Sequence, residues 1–547
     1  MKYIKSRQQK ILLLLITVIL LLGIFFRFAN LDSKVYWGDE TVTSLRISGY
    51  NLQELQTFAN SDKPDGMASL RSLSIQDIQK YQYPNSEKGF IDTINGLAIE
   101  EPQHPPLYFV MVKQWVQWFG NSVPITRSFS ALISLLAFPL IYLVCQELFS
   151  FSVISWVAVA LLAVSPFHVL YAQEARSYSL WTVTILLSSW ALLRAIRLKT
   201  NLSWGIYAVT IAIGFYTFIF SAVVSVAHGI YIVINEKFKL TKTVKSYLLA
   251  SITGAILFIP WIVAVLTNFT EADQTTSWTK KTFPITYLAK TWILNLSRVF
   301  IDFNYNFVSR NLFWYLIFIV LLILIVYAIY RLCQETKPQA WLFVLLLMAI
   351  ASLPLVLLDI TSGGIRSTVA RYFIPSYLAI EITVAYLLAT KMTSMYISNW
   401  QRQTWRIAFL TIVLSGIISC SGMSSAQVWW NKYNAVHIPK VAEIVNQSNN
   451  PTVITTWHYL MIFSHILDEK AQLAVVNPNL ASNLLNSTSE NSLNNDPKDI
   501  YIHNSSKAIE TLVQSNSNYR VETKYQWKHK IEPVYETKTA LWKLSKY

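Results

Sequence analysis

Cysteine is nearly missing from this 547-residue chain. There are three, Cys145, Cys333 and Cys420, and none stands in a CxxC or Cys/His spacing. That excludes a disulfide framework and a cysteine-based zinc site. Charge is scarce as well: 14% of residues are charged against 53% hydrophobic, with a mean hydropathy of +0.37. Such a balance excludes an ordinary soluble enzyme and suits a polytopic membrane protein. Acids are the scarcer sign, 30 against 45 bases, which leaves a net charge of +15. The bases are not gathered into one patch, so nucleic acid is not an expected partner. They stand in short clusters beside apolar segments: Lys2, Lys5, Arg7 and Lys10; Arg194, Arg197 and Lys199; Lys237, Lys239, Lys242 and Lys245; Arg402 and Arg406. This is the positive-inside pattern of cytoplasmic loops. No small-x-small cleavage site follows the first apolar segment, so it reads as a retained helix rather than a signal peptide. No internal repeat or low-complexity tract is present.

What is there is a series of long apolar runs. A span needs about 20 such residues, and the runs predict helices over 11–29, 127–147, 151–170, 178–196, 203–217, 218–235, 246–267, 311–330, 339–358, 372–391 and 405–423. About eleven spans put the N-terminus in the cytoplasm and the C-terminus outside, with every basic cluster on the cytoplasmic side. The apolar stretch 105–120 is short and carries Lys113. Counting it as a span would invert the later loops against the charge bias, so it is expected to lie at the interface. The fold class is therefore a mainly α, polytopic membrane helix bundle over 1–423. The polar tail 424–547 alternates strand patterns ("TVITTW", "DIYIHN", "YRVETKYQW", "ALWKL") with helices near 434–447 and 506–515, which predicts a small extracytoplasmic α/β domain.

On this parity the long loop 30–104, the turn 171–177, the loop 268–310 and the loop 359–371 share the outer face. The first holds "VYWGDE", where Asp39 and Glu40 stand side by side. A charge at the bilayer centre costs about 2.5–3.5 kcal/mol, so this pair belongs in water, a protein cavity or a loop. The plain reading is a solvated acidic loop. The same loop ends in "EEPQHPPLYF", whose prolines fix an extended entry into a helix and bring His104 and Tyr108 to the membrane surface. "SPFHVLYAQEARSYSL" (165–180) sets Glu174 and Arg176 among Tyr171 and Tyr178; a helix connection with interfacial tyrosines explains it equally. "DITSGGIRSTVARYFIP" (359–375) carries Arg366, Arg371 and Tyr372 at the outer edge of a span, against the usual charge bias. Snorkelling to headgroups would account for these arginines, as would a phosphate held in the guanidinium fork.

Taken in order, "YWGDE", "HPPLYF..VKQW...FG", "RSFSAL", "SPFHVLYAQEARSYSL" and "RYFIPSYLA" resemble bacterial members of glycosyltransferase family 39, the protein O-mannosyltransferase and aminoarabinose-transferase relatives within the GT-C superfamily. The resemblance is strongest over residues 10–235, weaker to about 395, and does not reach the tail. It implies a GT-C-like bundle in the bacterial plasma membrane that uses a polyprenyl-phosphate sugar donor and transfers a hexosyl or pentosyl group on the outer face. It implies Asp39 as general base with Glu40 beside it, and Glu174 as the second external acid, which would orient the acceptor, pair with Arg176 or help hold a divalent ion. The chemistry fits: a lipid phosphate is already a good leaving group, so one carboxylate must take the acceptor's proton and cations must balance the departing phosphate. Arg371, Arg176 and Lys113 are the cations at hand, with His104, Tyr108, Tyr178 and Tyr372 lining the substrate. The sugar, the acceptor (protein, lipid or glycan), the metal requirement and the oligomeric state are not encoded in these motifs. A transporter or flippase of lipid-linked sugars, a surface-polysaccharide polymerase or ligase, and a receptor-like protein are the rival readings. Transporters carry midplane charges and repeated halves, and here the charges gather at one face.

Overall fold

The computed structural model describes residues 2–60, 72–305, 312–475, 499–504, 519–531 and 535–546. The helix expected near 506–515 lies outside them. The chain divides into two compact units: one of residues 1–31, 97–111 and 124–425, the other of 32–96, 112–123 and 426–547.

The first unit is helical. Each of the eleven expected segments falls on a helix, or at 127–147 and 151–170 on two in succession, and among the described residues seven helices are long and apolar enough to cross a bilayer. An eighth crossing results if Ser152–Ala163 and Pro166–Ala172, bent by 58°, count as one. Asn201–Thr217 and Ser221–Asn235 are shorter, so at 1.5 Å rise per residue they fall below the roughly 30 Å of the hydrocarbon core, whereas the first helix, Lys2–Phe28, has 27 residues. The bend has a local cause. Pro166 lacks an N–H and its ring opposes the preceding turn, leaving the carbonyls that end the Ser152–Ala163 helix without helical partners. Arg27 of the first helix supplies them, donating to Leu162 O at 3.1 Å and Ala163 O at 2.6 Å. Gly23 lets the helices come this close, because a Cβ there would overlap Ala163. Gln173 donates in return to the carbonyls of Phe26 (2.6 Å) and Ala29 (2.9 Å), closing the end of the first helix. The 13-residue Leu107–Phe119 helix is too short to span, and Trp118 and Phe119 stand exposed at its end.

The second unit is α/β. Its strands are β1 (Leu73–Ser74), β2 (Pro451–Thr455), β3 (Gln472–Val475), β4 (Asp499–Asn504), β5 (Tyr519–Ile531) and β6 (Tyr535–Lys546), in the order β1-β3-β2-β4-β6-β5. β2 runs parallel to β3 and β4, and the other pairs are antiparallel. Parallel neighbours need a crossover, which the Trp457–Phe463 helix supplies between β2 and β3. Alternation sorts the strands onto two faces. Val453, Leu473, Tyr501 and Leu541 pack with Ile438, Val441 and Val445 of the Ile438–Asn446 helix, while Ile454, Ala474, Ile502 and Trp542 form the opposite core. The strand expectations for the tail thus hold, and β1 adds a piece of the first loop to the same sheet.

Candidate functional site

In the first unit the "HPPLY" and "QEARSY" stretches come together. The turn after Ala172 is held by Arg176 N donating to Glu174 O at 2.8 Å. Glu174 and Arg176 are buried, and an Arg176 Nη lies 3.0 Å from His104 Nε2. Tyr108 and Ser130 share a hydroxyl–hydroxyl hydrogen bond of 2.7 Å, and the Ser130 Oγ reaches the Arg176 carbonyl at 3.3 Å. Tyr178 opens the next helix, its ring 5.1 Å from Tyr171. Both Glu174 and Arg371 lie within electrostatic reach of the Tyr171 hydroxyl. Arg371 is half-buried, and its guanidinium carbon stands 5.5 Å from the Tyr178 ring, 5.8 Å from Tyr372 and 6.0 Å from Trp278. Arg366, five residues earlier, is engaged within its own loop: it pairs with buried Asp359 at 3.1 Å and donates to Gly363 O at 2.9 Å. Gly364 (φ +137°) makes that possible, since a Cβ there would meet both Arg366 and the Asp359 carboxylate.

The second unit holds Asp39, Glu40 and Lys113. Both acids lie in the first turn of the Gly38–Ser48 helix, where the positive end of the helix dipole favours them. Their surroundings differ. Asp39 is half-buried, whereas Glu40 is fully buried and pairs with buried Lys432 at 2.5 Å. Lys432 also donates to Val35 O at 2.9 Å, so the pair ties the strip before the helix to the tail. Lys113 is buried at the other end of that helix, where its ammonium donates to Ser48 O at 3.1 Å. Burial pushes its pKa down to about 8, with Asp92 opposing the shift.

Among the described residues no three His, Cys, Asp or Glu side chains gather into a metal-holding group, so no metal ligands are assigned. Three residues without a local sequence signal join these clusters, Trp278, Lys432 and His458, and a fourth, Gln173, is not among the expected site residues. Gln173 stands inside a motif already singled out. Lys432 and His458 lie in the tail, and nothing near them in sequence marks them.

Residues 103–263 match the family model of dolichyl-phosphate-mannose-protein mannosyltransferases, somewhat under a third of the chain. No curated protein matches the chain significantly by sequence. Among solved structures, the chain is similar to ArnT from Cupriavidus metallidurans bound to undecaprenyl phosphate, with a TM-score of 0.52, 11% identity and 97% of each chain covered. It is similar to the apo form of that protein as well, at TM-score 0.51 and 12% identity, again over 97% of each chain. The archaeal oligosaccharyltransferase AglB from Archaeoglobus fulgidus, in complex with an inhibitory peptide and a dolichol-phosphate, matches at TM-score 0.47 and 12% identity, over 94% of this chain and 70% of its own. The chain therefore shares the fold of ArnT along nearly its whole length, and the mannosyltransferase model is matched over the segment holding His104, Tyr108, Glu174, Arg176 and Tyr178.

Proposed function

We propose that this protein transfers a sugar from a polyprenyl-phosphate donor to an acceptor on the extracytoplasmic face of a bacterial plasma membrane, with its N-terminus cytoplasmic, catalysis centred on residues 1–423 and the 424–547 region extracytoplasmic. One observation carries the donor class: half-buried Arg371 stands among the rings of Tyr178, Trp278 and Tyr372. A guanidinium fork suits phosphate oxygens, and aromatic faces suit both the cation and an adjoining apolar chain. That a protein of the same fold binds undecaprenyl phosphate supports the same class.

The reaction needs a bond from the acceptor oxygen to the anomeric carbon as the bond from that carbon to the phosphate oxygen breaks. The electron pair leaves with the phosphate, and Arg371 balances the charge, with Arg176 as a second cation steadied by His104. The acceptor's proton passes to Asp39. Glu174 orients the acceptor or pairs with Arg176. Glu40 and Lys113 act indirectly, by fixing the two ends of the helix that carries Asp39.

The test is transfer by the purified full-length protein in liposomes. Undecaprenyl-phosphate mannose, glucose, galactose and aminoarabinose are offered with a cell-envelope extract as acceptor source, and released undecaprenyl phosphate is measured. One donor class should turn over. Asp39→Asn keeps the size of the side chain but cannot take a proton, so turnover should fall by roughly 10²-fold or more with donor binding little changed. No release from any donor would overturn the reading, and full turnover in Asp39→Asn would remove that residue as the base.

A further inference from the structure

We propose that His458 is the proton outlet of Asp39, a positioning residue that takes the acceptor's proton onward to water. The inference rests on the reading of Asp39 as general base.

His458 is the second residue of the Trp457–Phe463 helix, which packs on the Gly38–Ser48 helix through Met461 against Leu45. That packing brings the imidazole directly onto Gly38. A Cβ there would overlap the ring's Cε1, with Nε2 at 2.8 Å and Nδ1 at 3.0 Å, so the ring sets its Cε1 edge on Gly38 with a nitrogen on either side, next to the residue that carries the Asp39 carboxylate. Glycine is the one residue that permits this approach. Desolvation of the ring lowers the His458 pKa, and the Asp39 carboxylate acts electrostatically against that fall. Neighbouring Glu40 is engaged by Lys432 in the buried interior, so of the two adjacent acids only Asp39 is half-exposed beside the imidazole. His458 itself is solvent-exposed, and a proton it accepts has water to go to.

The step balances. As the new glycosidic bond forms and the bond to phosphate breaks, the acceptor hydroxyl proton moves to the Asp39 carboxylate. The resulting carboxylic acid gives it to an imidazole nitrogen of His458, and the imidazolium releases it to water. Asp39 is again a carboxylate and His458 again neutral. Histidine suits the task because an imidazole held below its ordinary pKa takes a proton only in passing and readily gives it up to water.

The experiment compares wild type, His458→Ala, His458→Gln and Asp39→Asn in the same liposomes. The donor is whichever undecaprenyl-phosphate sugar supports transfer, with and without added imidazole and methylated imidazoles. His458→Ala should lower turnover by roughly tenfold or more at unchanged donor KM. Imidazole should restore it, more strongly for the more basic methylated forms, while His458→Gln should stay low because it fills the space without accepting a proton. A His458→Ala variant with normal turnover would overturn the inference. So would full recovery in His458→Gln, or a loss that imidazole does not restore, since packing on Gly38 would then be its whole role. If Asp39→Asn loses turnover in either case, the base assignment stands alone. If Asp39→Asn turns over normally, or no donor supports transfer, the parent reading fails and this inference with it.

Discussion

Glu40 and Lys432 form a fully buried ion pair, and breaking such a pair leaves a charge without compensation. Glu40→Gln should therefore destabilise the second unit by about 3–5 kcal/mol, seen as an earlier unfolding transition of the full-length protein in detergent. Replacing both partners with methionine should recover most of that loss, because two apolar side chains of similar volume carry no desolvation penalty. A Glu40→Gln protein that melts like wild type would show that the pair contributes nothing to the fold. Arg371 answers to a different test. Arg371→Lys keeps the charge but loses the planar fork, and so should weaken donor use moderately, while Arg371→Ala should weaken it more. Normal donor affinity in the alanine variant would shift the phosphate to Arg176. These arginines were singled out in the sequence because positive charge on that side opposes the usual bias. That reasoning could not separate Arg371 from Arg366, which Asp359 holds within the loop.

At the scale of elements, the break before Pro166 is joined to the first helix by Arg27, whose guanidinium reaches Gly23, Leu162 and Ala163 carbonyls and the Ser134 hydroxyl while lying over Phe138. Methionine at this position would fill the space and leave those acceptors buried without the donor. A loss on the order of 3 kcal/mol is expected, measured as thermal inactivation in detergent, with the "QEARSY" turn the first part to become protease-sensitive because Gln173 depends on the same helix end. Unchanged inactivation would mean that water replaces the guanidinium. The positions of these helices follow from apolar length and were readable in advance. The 58° bend has a visible sequence cause in Ser165-Pro166, but the partner that satisfies it does not, since Arg27 looks in sequence like one more juxtamembrane base.

For the whole molecule, one source of pH dependence is a buried histidine pair in the second unit. His437 and His503 lie buried there with Nε2 atoms 3.0 Å apart, and Thr455 Oγ1 stands 3.2 Å from His503 Nδ1. Burial pushes the pKa of His437 down to about 4; it pushes that of His503 well below its ordinary value, with the neighbouring His437 adding to the fall. The unfolded chain therefore binds more protons than the folded unit between about pH 6.5 and 4, and stability must rise with pH across that window. The contribution of the pair is full above pH 6.5 and is lost as the pH falls towards 4. Thermal unfolding of the full-length protein should move to lower temperature from pH 7 to pH 5. His437→Gln and His503→Gln should each flatten that slope, even where they lower stability at pH 7. A slope unaffected by either change would assign the acid sensitivity to other groups.

What the sequence determined by itself was whatever repeats locally. Apolar length marked the membrane helices, two-residue alternation marked the tail strands, and the ordered motifs from "YWGDE" to "RYFIPSYLA" carried the family resemblance. The tertiary structure decided what depends on residues far apart. Glu40 and Lys432 are separated by 392 positions, and β1 of the first loop pairs with β3 of the tail through Leu73 and Leu473. Such pairings leave no period in the chain, because neither partner needs a particular neighbour in sequence to make them. The same reason hid His458: a histidine at the start of a short helix is unremarkable until packing sets its ring on the glycine before Asp39.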